Sequence, residues 1–434
     1  MTKKEFKEAM LRGLGRCVIA VKENPEKYRD IVLWACKRNI AYDAQCEGTR
    51  SWYVYTMVNA YSDKETFIDA AAEALQKYRS NRRGQTWDLL HLSELLMLFA
   101  MDGYECARQA VEEKYQELLA TMFAYKRRPN RIFHERCDLE QLGVLLAVDK
   151  SSFLNIAKDF GRLYREKKYM CDGDFDWFFL SKGGRYRKTM ERIAQTEEDI
   201  ACFLQRECAN ETACKELRQQ RLASKTENLT GVGFSLWLAR KADKETIEQY
   251  AVTYREQTQP NLRAEALKAF SCCAYPDDPC CIIEDTRSNC EELQNAAWRA
   301  LENIRHPAVR QFALNNASKG IRTLENFVLL AKNYMPEDEK MIEELLREFI
   351  AHKDWDCVHA CGLAINQAFN KDSGIPHPKH LLPILYEYTP CSCCRRDSLV
   401  NMSKHRMLTK EMLIECQFDS DEDIRRMAVK RLKK

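Results

Sequence analysis

The amino-acid sequence predicts an all-α protein arranged as an α-solenoid of stacked antiparallel helical hairpins. First, a large apolar residue recurs in steps of 31 positions from 262 to 355, each followed seven positions later by a small residue. Second, the 434 residues include only 15 Gly and 11 Pro, and few apolar runs alternate with the period of a β-strand. Third, the segments between the predicted helices are only a few residues long, as helical hairpins prefer.

The recurring pairs indicate how the hairpins stack. They are Leu262 with Ala269, Leu293 with Ala300, Leu324 with Ala331, and Trp355 with Gly362. Two residues seven apart lie on one face of a helix, two turns from each other. The small member lets a neighbouring helix approach closely. A fixed period of about 30 residues is typical of helical-repeat proteins.

Residues 1–228 are predicted to form an N-terminal half of degenerate helical hairpins without a fixed period. The expected helices are Phe6–Val21, Pro25–Arg38, Trp52–Tyr61, one opening at Ser62, Leu89–Met101, Tyr104–Tyr125, Leu139–Val148 and Phe153–Lys167. The turn dipeptide Asp102-Gly103 joins two of them into a hairpin.

Residues 229–434 are predicted to form the regular repeat array, after a loop rich in turn residues at Asn228–Gly233. Its hairpins pair Asp243–Glu256 with Leu262–Ser271, Pro307–Ala317 with Thr323–Asn333, Pro336–Ala351 with Trp355–Phe369, His380–Tyr388 with Arg395–Ser403, and Thr409–Gln417 with Asp421–Leu432.

Three segments of this array resemble the HEAT-like α-solenoid superfamily. The alanine-rich stretch Ala296–Ala300 leads into the turn-plus-valine-arginine pattern of Arg305–Arg310, and Asp419–Ala428 has a similar pattern. The sequence departs from the family at Leu324–Lys332, which lacks the alanines, and at Cys272–Cys290, where prolines break the first helix. The resemblance implies a curved scaffold with a concave binding face, and no reaction.

The composition suits a folded protein of the cytoplasm. Hydrophobic residues make up 45% and charged residues 31%, and the 68 basic and 65 acidic residues leave a net charge of +3. This balance neither requires nor excludes a nucleic-acid partner. The sequence shows neither a secretory signal nor a membrane span, so we expect the 20 cysteines to be reduced thiols.

An acidic loop is the first candidate binding site. Asp172, Asp174 and Asp176 alternate along the chain next to Trp177, so their carboxylates can point one way and hold a hard divalent cation. It is not an EF-hand, because Trp177 occupies the position of the obligatory glycine. The alternative is a solvated turn followed by an aromatic anchor.

Basic residues form the second candidate binding site. Arg185, Arg187 and Lys188 follow a Gly-Gly pair that can present backbone donors to a phosphate. Arg127, Arg128 and Arg131 lie in another basic loop. Together with Arg82-Arg83, Arg395-Arg396 and Arg425–Lys434 they can form a phosphate-binding stripe. The alternative is that they are solvated residues at helix ends, interspersed with acids.

Cysteines form a candidate zinc site. Cys357 and Cys361 are four apart on one predicted helix, and Cys391 and Cys394 lie one repeat later. Stacked repeats can bring the two pairs together as four zinc ligands. The alternative is chance clustering in a cysteine-rich chain.

The function predicted from these features is a non-enzymatic scaffold that binds a protein partner along a concave groove through aromatic and arginine anchors. The alternative is a nucleic-acid-binding protein. It includes a DNA-glycosylase-like repair enzyme, because the HEAT-like folds include DNA glycosylases of the alkylation-repair type. No catalytic residue is identified, and neither a Gly-x-Ser-x-Gly nor a phosphate-loop motif occurs.

Overall fold

The computed structural model describes residues 1–80, 86–124, 133–167, 186–206, 242–370 and 378–433. Within these ranges all regular secondary structure is helical, which confirms the all-α prediction. No helix in the described ranges is long and apolar enough to cross a membrane.

Twelve described helices precede residue 207. Helices α1–α12 span Lys3–Arg12, Arg16–Glu23, Pro25–Ala35, Ala44–Glu47, Ser51–Val58, Lys64–Lys77, Thr86–Met101, Glu105–Ala124, Phe133–Leu146, Lys150–Lys167, 186–193 and 198–206. Twelve more α-helices follow residue 241, together with the short 3₁₀ helices Ala269–Ser271 and Pro336–Asp338. Helices α13–α24 span Lys244–Glu256, Pro260–Lys268, Cys280–Asp285, Glu291–Leu301, Pro307–Ser318, Leu324–Lys332, Glu339–His352, Trp355–Asn370, Leu381–Tyr388, Ser392–Lys404, Lys410–Cys416 and Glu422–Leu432.

The chain forms two compact units. One contains Met1–Ala223 together with Leu413–Lys434, and the other contains Ser224–Met412. The predicted boundary between 228 and 229 lies outside the described residues. Helix α24, placed by the sequence at the end of the repeat array, belongs to the first unit.

Two glycines explain how the C-terminal segment fits into the first unit. The single helix predicted over Phe6–Val21 ends at Gly13, whose φ of 77° is left-handed. A Cβ on Gly13 would lie 2.0 Å from Ser420 Oγ, and one on Gly15 would lie 1.9 Å from the carbonyl oxygen of Glu415. Only glycine therefore allows this close approach, in which the Ser420 amide donates to the Gly13 carbonyl at 2.9 Å.

In the second unit, the second helices of successive hairpins pack on one another. Helix α14 contacts α16, α16 contacts α18, α18 contacts α20, and α20 contacts α22, while each also packs on the helix before it. The small residues Ala269, Ala300, Ala331 and Gly362 are all buried in this row. Close helix packing thus explains the small member of each recurring pair.

The large member of each pair behaves less uniformly. Leu293 is only 3% exposed, whereas Leu262 is 51% exposed and Leu324 and Trp355 are half-buried. All four large residues lie in the first turn of their helix, so their position in the helix does not explain this difference in exposure. Only in the pair Leu293 and Ala300 are both the large and the small residue buried on the same helical face, as the sequence predicts.

Asparagines join neighbouring hairpins of the second unit through the backbone. Asn303 Nδ2 donates to the carbonyl oxygens of Phe270 at 3.1 Å and Ser271 at 2.9 Å. Asn333 Nδ2 donates to the carbonyl oxygen of Ile304 at 3.1 Å, and its Oδ1 accepts from the His306 amide at 3.0 Å. These bonds fix the loop of one hairpin to the end of the previous one.

Candidate functional site

An open pocket of about 580 Å³ lies in the first unit between Trp52 and helix α24. We call it the tryptophan pocket. Its lining consists of Trp52, Glu422, Arg425, Arg426, Val429, Lys430 and Lys433. The amphipathic pattern of α24 creates it, because Ile424 and Ala428 are buried whereas Arg426, Val429 and Lys430 face outward. The volume is that of a typical ligand site.

Arg425 is the cation of the tryptophan pocket whose side chain is fixed by hydrogen bonds. Its Nη1 donates to the carbonyl oxygens of Asp419 and Ser420, each at 2.8 Å. Its Cζ lies 3.6 Å from the centroid of the Trp52 ring, a cation–π stack. Burial lowers the pKa of this guanidinium below its usual value, although the group stays charged. The guanidinium and the indole therefore form a rigid polar and aromatic wall.

The charges of the tryptophan pocket are unbalanced. Arg426 pairs with Glu422 and lies 3.5 Å from Asp423, so it is neutralised locally. Lys430 and Lys433 have no carboxylate partner within the described ranges. Arg425 donates to backbone oxygens and stacks on the Trp52 ring, and the carboxylates of Asp419, Glu422 and Asp421 offset part of its charge. The pocket therefore presents positive charge beside an aromatic surface.

A second cluster lies in the second unit and consists of His359, Cys391 and Cys394. Their ligand atoms all lie within 4.8 Å of one another, and Cys394 Sγ is 3.6 Å from His359 Nδ1. Cys391 and Cys394 are buried, at 1% and 2% exposure, and His359 is half-buried. We call this group the thiol–imidazole cluster. Within the part of the chain that the structure describes, it is the one group of this kind that can hold a metal ion.

The start of helix α22 positions the two thiols. Cys391 is its N-cap residue and Cys394 follows three positions later, so both side chains lie in the first turn. His359 comes from helix α20, which packs on α22 with Gly362 facing the start of that helix. A Cβ at Gly362 would lie 3.7 Å from Cys394 Cβ and 3.6 Å from Thr389 Oγ1, so the space suffices for a methyl group and for little more.

The two thiols of the cluster have unlike acidities. Hydrogen bonds from Cys393 and then Cys394 lower the pKa of Cys391 far below that of an ordinary thiol, and burial opposes this shift. The bond to Cys391, together with burial, raises the pKa of Cys394. The two thiols therefore titrate as a pair, and the proton that remains after the first is lost is shared between them.

The structure brings together only part of the predicted zinc site. Cys391 and Cys394 lie side by side, but Cys357 and Cys361 are not members of the cluster. Burial and a bond to Asp354 raise the pKa of Cys357 to about 11, and burial raises the pKa of Cys361 as well. Successive residues of a helix are about 100° apart, so His359 points away from cysteines two positions before and after it.

Most of the other predicted binding residues lie outside the described residues. These are Asp172, Asp174, Asp176, Trp177, Arg185, Arg127, Arg128 and Arg131. Arg187 and Lys188 are exposed in α11, and Arg187 Nε lies 3.4 Å from a carboxylate oxygen of Glu191. Arg395, a member of the predicted basic stripe, is fully buried in the second unit and does not present its charge to solvent.

Two features of these sites were not predicted from the sequence: His359 as a ligand, and the position of Trp52 beside the predicted basic tract Arg425–Lys434. His359 lies between Cys357 and Cys361 in the sequence, and helical spacing alone places it on the opposite face of the helix from these two cysteines. The tryptophan pocket joins residue 52 to a helix that begins at residue 422. Nothing local in the sequence relates these two segments. Only their packing does.

No family model, curated protein or solved structure matches this chain.

Proposed function

We propose that the chain is a non-enzymatic helical scaffold that binds an acidic segment of a protein partner in the tryptophan pocket. The observation that carries this proposal is the positive charge of Lys430 and Lys433, unpaired within the described ranges, in the same pocket as the Trp52 ring and the guanidinium of Arg425 that stacks on it. Carboxylates of the partner would meet these cations, and an apolar side chain would contact Trp52 and the exposed Val429. Aromatic and arginine side chains are the usual anchors of protein interfaces.

The proposed scaffold includes a HEAT-like solenoid in the second unit. The continuous row of second helices from α14 to α22 supports this proposal, as does the 31-residue step of buried small residues. In such an array each hairpin contacts mainly its neighbours, and the bonds of Asn303 and Asn333 have that character.

A protein partner is favoured over a nucleic acid by the distribution of the cations. Phosphate tracking needs several exposed cations along a continuous path. Arg395 is buried, Arg187 lies against Glu191, and Arg426 is neutralised by Glu422. Arg425, Lys430 and Lys433 instead lie together in one pocket at the end of α24. A pocket of this size suits two or three carboxylates of a peptide.

The experiment measures the binding of a fluorescent peptide of alternating Glu and Leu residues to the full chain across a salt series. A matched peptide with Gln in place of Glu is the control ligand, and duplex DNA and single-stranded RNA are the competing probes. We expect the acidic peptide to bind more tightly than the Gln peptide and than either nucleic acid, with affinity falling as salt rises.

Charge reversal in α24 locates the binding. The double variant Lys430→Glu/Lys433→Glu should weaken peptide binding at least tenfold, because two attractive contacts become repulsive. Arg431→Glu is the matched control, since Arg431 is exposed on the same helix and does not line the tryptophan pocket. Equal losses in both variants, or tighter binding of nucleic acid than of the peptide, would contradict the proposal.

A further inference from the structure

The thiol–imidazole cluster has the dimensions of a zinc site. Zinc takes sulfur ligands at about 2.3 Å and imidazole nitrogen at about 2.0 Å, so two such ligands of a tetrahedral ion are about 3.5 Å apart. The observed separation of Cys394 Sγ from His359 Nδ1 is 3.6 Å. Cys391 Sγ lies within 4.8 Å of both atoms, so the three ligand atoms are close enough together to share one ion. We propose that His359, Cys391 and Cys394 bind one zinc ion.

The ligand set selects the metal. Two sulfurs and one imidazole suit zinc, whereas calcium and magnesium require oxygen ligands. Two thiolates and a neutral imidazole balance the two positive charges of zinc, so the complex is neutral. Neutrality matters because both cysteines are buried, and an uncompensated charge there would be costly.

The surroundings also favour the bound form. The positive end of the α22 dipole points at Cys391 and Cys394, which stabilises thiolates in the first helical turn. Asn366 Nδ2 donates to the carbonyl oxygen of Cys394 at 3.0 Å and holds that turn in place. The hydroxyl of Thr389 is buried two residues before Cys391 and has no hydrogen-bond partner in the described ranges, so it can donate to a thiolate.

Binding is an exchange of protons for metal. Both sulfurs bind zinc as thiolates, so the thiol proton that the metal-free pair still holds passes to solvent as the sulfur–zinc bonds form, and His359 contributes its neutral nitrogen without releasing a proton. Zinc enters from the side of His359, which is half-buried and thus reaches solvent. The bound ion ties α20 to α22, two successive second helices of the row. It acts independently of the tryptophan pocket in the first unit.

The test is the metal content of the full chain, purified under reducing conditions without chelator and measured by elemental mass spectrometry. We expect one zinc per chain, and a cobalt-substituted form with thiolate-to-cobalt charge-transfer absorption. Cys391→Ser and Cys394→Ser should each lose at least nine-tenths of the zinc, and His359→Gln should weaken binding at least tenfold. The matched control is Cys357→Ser, which changes a half-buried thiol two residues from His359 and should retain the metal.

A second measurement on the unaltered protein covers the case in which a variant does not fold. Zinc added to the metal-free, reduced chain should protect Cys391 and Cys394 from alkylation, while the exposed Cys46 and Cys106 react equally with and without zinc. Metal content well below one per chain together with no zinc-dependent protection would overturn the proposal. So would equal zinc loss in Cys357→Ser and Cys391→Ser, or protection that appears only on oxidation and marks a disulfide.

Discussion

The Nε of Arg16 donates a hydrogen bond to Oε1 of Glu415 at 2.8 Å, although the two residues are 399 positions apart in sequence. Both side chains are partly buried, so solvent screens this ion pair less than a fully exposed one. Close by, Lys22 lies over the ring of Phe418 at 4.1 Å. The first unit is therefore closed by its C-terminal segment, and the tryptophan pocket exists only because that closure brings α24 to Trp52.

The glycine turn should be sensitive to a single methyl group. Gly13→Ala adds a Cβ that meets Ser420 Oγ and also strains a left-handed backbone. We expect it to lower the free energy of unfolding of the first unit by about 2–4 kcal/mol and to increase hydrogen exchange in α24. Denaturant unfolding and exchange measured by mass spectrometry check this prediction.

Gly103→Ala is the control for Gly13→Ala. Its φ of 96° is also left-handed, but no atom lies within 4 Å of the added Cβ. It should cost only about 1 kcal/mol, the price of the backbone conformation. Equal destabilisation by the two variants would show that the C-terminal segment does not pack closely against Gly13.

The asparagine bridge between hairpins should contribute measurably to the second unit. Asn333→Ala removes the partners of the Ile304 carbonyl and the His306 amide, which costs about 1–3 kcal/mol where these groups are left unpaired. Hydrogen exchange of peptides covering 304–333 should rise. Asn315→Ala, at an exposed position of α17, should change the exchange of the same peptides very little.

His91 should make the first unit sensitive to acid. Burial lowers its pKa to about 4, while its Nε2 lies 3.2 Å from the carbonyl oxygen of Ala35. The folded state thus keeps His91 neutral where the unfolded chain already binds a proton. The contribution of His91 to the free energy of unfolding is therefore fully present above about pH 6.5. It is lost as the pH falls to about 4, which lowers the free energy of unfolding by about 3 kcal/mol.

The variant His91→Gln isolates that contribution. Buried carboxyls such as Asp138 have raised pKa values, again through burial, so their effect on the free energy of unfolding has the opposite sign as the pH falls. The difference in unfolding free energy between wild type and His91→Gln should therefore change with pH between 6.5 and 4. The exposed His352→Gln should show no such change. A flat difference for His91→Gln would contradict the assignment.

Removal of zinc should destabilise the second unit, if the proposed site is occupied. A ligand present at 100 to 1,000 times its dissociation constant stabilises the folded state by about 3–4 kcal/mol. Chelation should lower the thermal midpoint of the wild type, and the shift should shrink at lower pH because protons compete for the two thiolates. The thermal midpoint of Cys394→Ser should not change on chelation. If it falls as far as that of the wild type, the chelator effect does not come from this site.

Local patterns were sufficient to predict most of the helices. The predicted hairpin of Pro307–Ala317 and Thr323–Asn333 is observed as Pro307–Ser318 and Leu324–Lys332. The break at Gly13 was missed because a single glycine is tolerated inside a helix, and here the approach of Ser420 decides its role. Among the proposed ligands, Cys391 and Cys394 were predicted from their spacing, whereas His359 required the packing of α20 on α22.

By itself, the sequence determined that this protein is helical and which residues are small enough for helices to pack closely, because both properties follow from short-range periodicity. Only the tertiary structure decided that residues 413–434 join the N-terminal unit and that His359 faces Cys391 and Cys394. Such pairings depend on contacts between segments far apart in the chain. No local pattern of residues predicts these long-range contacts.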